Sequence, residues 1–171
     1  VEPSAILCFR DEYVDLVDEE LEADANRIAP YAMVIEEFLW KEIEKGNIRQ
    51  GAFVGLPQNI LLHTHCQQKA WKLQQCTSSL LAFPQGYEVE VIPSGCCGMA
   101  GAFGYEKEHY DISMQIGELV LFPQVREKAQ DTIVVATGGS CRHQIYDGTK
   151  EKAIHPVEVL YKALKDKSHL L

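Results

Sequence analysis

Two adjacent cysteines, Cys96 and Cys97, stand between Gly95 and Gly98. Two more occupy similar polar surroundings, Cys66 at the end of His63-Thr64-His65 and Cys141 within Gly138-Gly139-Ser140-Cys141-Arg142-His143. A thiolate is both a nucleophile and a soft metal ligand. Neighbouring cysteines serve each other poorly, because a disulfide wants its Cα atoms about 4.4–6.8 Å apart. Four such thiols suit an iron–sulfur cluster or a structural zinc, both of which take cysteine thiolate. Structural zinc usually draws its ligands from Cys-x(2–4)-Cys knuckles, and this sequence has none.

The segments before these cysteines are the elements that must position them. Residues 59–65, with Ile60, Leu61 and Leu62, read as a buried strand, residues 87–92 as a second and residues 132–137 as a third. Helical patterns lie between them: residues 67–83 with Ala70, Leu73, Leu80 and Leu81 on one stripe, residues 106–121 stopped at Pro123, and a last helix after Pro156. Alternation of this kind predicts an α/β fold, a Rossmann-like layered domain with a mostly parallel sheet. Ligand sites in such sheets lie at the carboxyl ends of the strands. Cys66 follows the first strand, Cys96 and Cys97 the second and Cys141 the third, so four thiols are expected on one edge.

Upstream, residues 6–22 read as an acidic helix with Leu7, Val14, Leu16 and Val17 as its apolar members. Pro30 fits the first turn of a second helix carrying Val34, Ile35, Phe38, Leu39 and Ile43, with Trp40 at its edge and Gly46 at its end. Cys8 and Cys76 fall inside helical patterns, and Cys8 is expected to be a buried small apolar residue. The chain has 171 residues, six cysteines and a formal charge of −9. That length suits one ordinary core, and six cysteines are too sparse for a small secreted disulfide scaffold. The acidic balance argues against a nucleic-acid surface. No apolar run reaches the length of a membrane span and no signal peptide opens the chain, so a cytoplasmic location is expected, with any membrane association peripheral and through partners. Because it begins at Val1, the chain reads as a fragment or a processed product.

Three stretches carry a family resemblance. His-Thr-His-Cys-Gln-Gln-Lys-Ala at 63–70, Cys-Cys-Gly-Met-Ala-Gly-Ala-Phe-Gly-Tyr-Glu-Lys-Glu-His-Tyr-Asp at 96–111 and Gly-Gly-Ser-Cys-Arg-His-Gln-Ile at 138–145 resemble the cysteine-rich "CCG" domain. That domain occurs in the B subunit of heterodisulfide reductase and in iron–sulfur subunits of glycolate, lactate and glycerol-3-phosphate oxidising systems. The likeness is greatest to the C-terminal part of large FAD-linked oxidases, and it covers nearly the whole sequence. Its members commonly carry two repeats. Glu2-Pro3-Ser4-Ala5 looks like the closing loop of a first repeat, which makes residues 1–50 a helical joining segment and residues 51–171 the CCG domain.

The resemblance implies one [4Fe–4S] cluster on Cys66, Cys96, Cys97 and Cys141, serving an FAD-dependent dehydrogenase of a 2-hydroxy acid such as lactate, glycolate or 2-hydroxyglutarate. FAD, the flavin domain and a ferredoxin-like domain would belong to the same or a partner chain, electrons would leave to a further acceptor, and the fragment alone would be inactive. Two departures matter. Gly138 stands where the family pattern has the first cysteine of a Cys-x-x-Cys, and Ala5 stands where the earlier loop often has one. Four thiolates saturate a four-iron cluster, which favours electron relay over bond cleavage.

Around the thiols, Gly95 and Gly98 allow tight turns and let backbone N–H groups face sulfide. His63, His65 and His143 are candidates for hydrogen bonding to the centre or for proton movement. Arg142 is a candidate to offset the anionic thiolates. Phe103 and Tyr105 are expected to cover the centre from water, and His109 to be a helix-surface residue. His155 and His169 carry no functional expectation. Two other classes stay open: a zinc-binding or metal-free scaffold that docks partners, and a thiol–disulfide domain like heterodisulfide reductase, with Cys97 near His65 or His143 as nucleophile.

Overall fold

The computed structural model describes residues 2–166. Its first part is helical: α1 (Pro3–Leu7), α2 (Glu12–Leu16), α3 (Glu19–Ile28) and α4 (Ile35–Glu44). Strand β1 (Gln58–His63) follows, then α5 (Cys66–Ala70), α6 (Gln74–Leu81) and β2 (Tyr87–Val91). The chain continues through α7 (Tyr110–Leu119), α8 (Leu121–Glu127), β3 (Ile133–Ala136), α9 (Gly139–Thr149) and α10 (Pro156–Ala163).

The sheet has the order β2-β1-β3, and both pairings are parallel. Leu62 lies opposite Val91, and His63 lies opposite Ala136. This register ends the strands on one edge, so their connecting loops open on the same side. Alternation along the strands divides the core. Leu61 and Val134 pack with Phe122, Val125 and Ile145 from α8 and α9, whereas Ile60, Leu62 and Val135 pack with Leu81 and Val159 from α6 and α10. Helices therefore cover both faces, as parallel sheets require. A third cluster joins Phe53, Leu80 and Leu160 to Leu39, Trp40 and Ile43 of α4. Each large side chain fully withdrawn from water contributes about 1.5–3 kcal/mol. The α/β layered expectation holds.

Several expected boundaries move, for local reasons. The helix expected over 6–22 is broken: Asp11 starts α2 by accepting from the Glu12 N–H at 2.7 Å, and Val17 is extended. Leu16 is accordingly exposed, and Cys8 is only half-buried. Pro30 lies in a 3-10 turn before α4 rather than in its first turn. The helix expected over 67–83 is divided at Lys72, which has φ +58°. Leu73 N–H donates to Gln68 O at 2.8 Å and Lys72 N–H to Lys69 O at 3.0 Å, a left-handed stop that satisfies the last carbonyls of α5. Pro123 does not end a helix but occupies the first turn of α8, where its missing N–H costs nothing. Helix α9 had no counterpart among the expected elements.

Candidate metal centre

The register delivers the four cysteines to one place. Cys66 opens α5 directly after β1, and Cys141 lies in the first turn of α9 after β3. Thiolates at such positions face the positive end of the helix dipole. Cys96 and Cys97 arrive on the loop after β2. All six cysteines of the chain are free of disulfides. Cys97 and Cys141 are buried, Cys96 is half-buried and Cys66 is exposed, so an inner pair and an outer pair can be distinguished. Cys66, Cys96 and Cys97 line a cavity of about 550 Å³, together with His65, Tyr105 and His143 among others.

The sulfurs lie close enough to shift one another's ionisation. The Cys66 thiol is pushed up by its hydrogen bond to Cys96, and Cys96 is drawn down by accepting from Cys66 and Cys97. Cys97 is likewise pushed up by its bond to Cys141, whose own pKa falls well below the ordinary range for the complementary reason. Four thiolates in this space would repel one another and need a cationic core between them. That donor set fits an iron–sulfur cluster, which takes four cysteine thiolates.

Gly98 is required by its position. Its φ is +106°, a Cβ there would stand 2.2 Å from Ser113 O, and its N–H donates to Cys96 Sγ at 3.3 Å. Gly95 has open space where a Cβ would go; its carbonyl matters instead, accepting from Lys69 Nζ at 2.9 Å. Lys69 also donates to Ser94 O at 2.5 Å, tying α5 to the Cys96–Cys97 loop. Burial lowers its pKa, while the four site cysteines act against that shift. Lys69 is therefore a cation close enough to feel the sulfurs. Arg142 does not fill that place, because its Nη1 donates to Ala136 O at 2.9 Å and Thr137 O at 3.0 Å, securing the end of β3.

Among the histidines, His65 caps α5. Its Nδ1 accepts from the Gln67 N–H at 3.1 Å, and its Nε2 faces Glu2 Oε1 at 2.9 Å. Burial opposes a charge on His65, but Glu2 and the Cys141 and Cys96 thiolates outweigh it and raise its pKa. Burial likewise works against the Glu2 charge, yet His65 and the Ser140 N–H hold that carboxyl down at about 2. His63 is fully buried, with Nδ1 2.8 Å from Ser94 Oγ. His143 Nδ1 meets the Tyr105 hydroxyl at 3.0 Å. Tyr105 is exposed at the cavity rim and does not cover the inner sulfurs, which Met99 and Ile145 help bury instead. Phe103 stacks on His109, which pairs with Glu106 at 2.8 Å just before α7. His169 lies outside the described residues.

Glu2, Lys69 and Ser94 join the site although the cysteine motifs do not mark them out. Only the spacing of Lys69 from Cys66, one turn along a short helix, signalled the second of them. At Gly138 a Cβ would lie 2.7 Å from His65 Cδ2, 2.8 Å from Glu2 Oε1 and 3.1 Å from Cys141 Sγ. The space a fifth cysteine would need is held by the Glu2–His65 pair.

The chain is 32% identical over 155 residues to one subunit of the anaerobic glycerol-3-phosphate dehydrogenase of Escherichia coli strain K12, covering 91% of this chain and 37% of that protein. It is 29% identical over 168 residues to the D-2-hydroxyglutarate dehydrogenase of the same strain, covering 96% of this chain and 15% of that protein. The enzyme of that name from Pantoea ananatis is 27% identical over 161 residues, or 94% of this chain and 15% of its own length. These relatives are dehydrogenases or dehydrogenase subunits. The chain thus spans little more than a third of the first and a much smaller part of the others. Their names agree with the motif resemblance to systems that oxidise glycerol 3-phosphate or 2-hydroxy acids. No family model matches the chain, and no solved structure matches it. Among the described residues no helix is long and apolar enough to cross a membrane.

Proposed function

We propose that this chain is the iron–sulfur electron-transfer part of an FAD-dependent dehydrogenase acting on a 2-hydroxy acid such as lactate, glycolate or 2-hydroxyglutarate. Residues 51–171 form its CCG domain, and residues 1–50 are the segment joining it to a preceding repeat. The observation that carries this reading is the convergence of Cys66, Cys96, Cys97 and Cys141 from three parallel strand ends. When bound, a [4Fe–4S] cluster on these four thiolates would accept and release single electrons.

The chain's own residues have separable tasks. The inner pair, Cys97 and Cys141, anchors the centre within the core, whereas Cys66 and Cys96 hold its open side. Gly98 N–H and Lys69 stabilise sulfur charge, and Glu2 with His65 fills the place of an additional ligand. The cavity beside Cys66 is where a flavin or ferredoxin-like domain of the same or a partner chain would deliver electrons. A D-2-hydroxyglutarate dehydrogenase among the relatives supports the substrate class, and a glycerol-3-phosphate dehydrogenase among them offers its main competitor. In the anaerobic full-length protein, the broad iron–sulfur absorbance that extends beyond the flavin bands should bleach on adding a 2-hydroxy acid from this class. Bleaching by glycerol 3-phosphate alone would overturn the substrate class, and a spectrum with flavin bands alone would overturn the cluster.

A second reading rests on one observation: a ring nitrogen of His63 and the sulfurs of Cys97 and Cys141 lie within 4.8 Å of one another. Such a set could hold a single zinc ion, as soft sulfur and imidazole ligands do. Stoichiometric zinc without sulfide in anaerobically purified protein would favour it.

A further inference from the structure

His63 is the last residue of β1 and has no exposure to solvent. Its two ring nitrogens face different chemistry. Nδ1 lies 2.8 Å from the Ser94 hydroxyl, whereas buried Nε2 has no hydrogen-bond partner. A ring nitrogen of His63 and the sulfurs of Cys97 and Cys141 nevertheless lie within 4.8 Å of one another, so sulfur is the acceptor within this orphaned donor's reach. Of the two, Cys141 is the one in hydrogen-bonding reach of His63.

A metal-bound thiolate has no proton and can only accept a hydrogen bond. A neutral imidazole beside it must therefore carry its proton on Nε2, leaving Nδ1 to accept from the Ser94 hydroxyl. Ser94 sits two residues before Cys96, so the loop that brings the outer thiols also fixes the ring that serves the inner ones. Hydrogen bonds to cluster sulfurs withdraw negative charge and favour the reduced state.

We infer that His63 is a positioning residue of the centre, donating Nε2–H to the Cys141 sulfur and raising the potential at which the centre takes an electron, with Ser94 locking the ring in that tautomer. This rests on reading the four cysteines as cluster ligands. It assigns His63 to the second layer and not to the metal.

The test uses anaerobic full-length protein, with iron content measured first. His63→Leu should keep its iron and show a lower midpoint potential, His63→Gln should recover much of the wild-type value through its amide N–H, and Ser94→Ala should fall between. With ring-15N histidine, pulsed electron paramagnetic resonance of the reduced wild type should show a weak nitrogen coupling that His63→Leu loses. Equal potentials in wild type and His63→Leu at equal iron content would overturn the inference, as would a coupling as strong as that of a directly bound nitrogen. Should His63→Leu fail to hold iron, Ser94→Ala decides: a lowered potential supports the hydrogen bond and an unchanged one overturns it. Wild-type protein without iron would instead refute the cluster reading itself, and this inference with it.

Discussion

Gly98 governs where the Cys97 sulfur can go. Its left-handed φ and the 2.2 Å approach of a hypothetical Cβ to Ser113 O leave no room for a side chain. Gly98→Ala should destabilise the protein by at least the roughly 1–3 kcal/mol of such backbone strain, measured by denaturant unfolding, and should reduce bound iron by moving Cys97. Gly95, with open space around it, should tolerate alanine. The two basic candidates part in the same way. Lys69 lies close enough to feel the four site cysteines, whereas Arg142 is engaged with the carbonyls that end β3. Lys69→Met should therefore lower the midpoint potential of the centre, because a positive charge near a cluster favours reduction. Arg142→Met should leave the potential near its wild-type value and lower the unfolding midpoint. Equal potentials in Lys69→Met and wild type would show that the Lys69 charge does not reach the centre.

At the scale of elements, the strands were legible because apolar runs bounded by glycine and proline leave little choice. Their parallel order then followed from the helices between them, and with it the meeting of the four cysteines. Helix α9 was hidden by its composition: Gly139-Ser140-Cys141-Arg142-His143-Gln144 has no apolar stripe, and its buried face depends on Gln144 and Ile145. Gln144 is buried because its amide donates to Ser113 O at 3.0 Å and Ser113 Oγ at 2.9 Å, a partner on α7 that no periodicity reveals. The tie between Glu2 and Ser140 was invisible for the same reason, spanning 138 residues of sequence. Packing of α7, α8 and α9 is equally non-local. Phe122 is fully buried against Gly117 and Gly148, where an added Cβ would lie 2.3 Å from its ring. Gly117→Ala should overpack this contact and lower stability by about 1–3 kcal/mol in chemical denaturation. A neutral result would mean that the Phe122 ring has space to withdraw.

For the whole molecule, acid and alkali should act on Glu36 and His155, a pair outside the four site cysteines. Glu36 is fully buried in α4, and burial raises its pKa above 4.5. His155 faces it at 3.3 Å, and burial pulls its pKa down to about 4. Folded Glu36 holds its proton more tightly than the unfolded chain, so its contribution to stability falls as pH rises from 4.5 through its folded pKa. Folded His155 holds its proton less tightly, so stability falls as pH drops from 6.5 towards 4. Glu36→Gln keeps an acceptor for His155 Nε2 while removing the buried charge. It should raise the denaturation midpoint at pH 8, with the gain shrinking in acid. A uniform gain at every pH would reject the charge as its source.

The convergence of Cys66, Cys96, Cys97 and Cys141 on one sheet edge is tested most directly by elemental analysis of full-length protein purified without oxygen. An electron-relay centre predicts that Cys97→Ala and Cys141→Ala each contain about four iron and four sulfide fewer than wild type, as loss of one cluster on four cysteines requires. Stoichiometric zinc without sulfide, or metal-free protein with all four thiols open to alkylation, would contradict it.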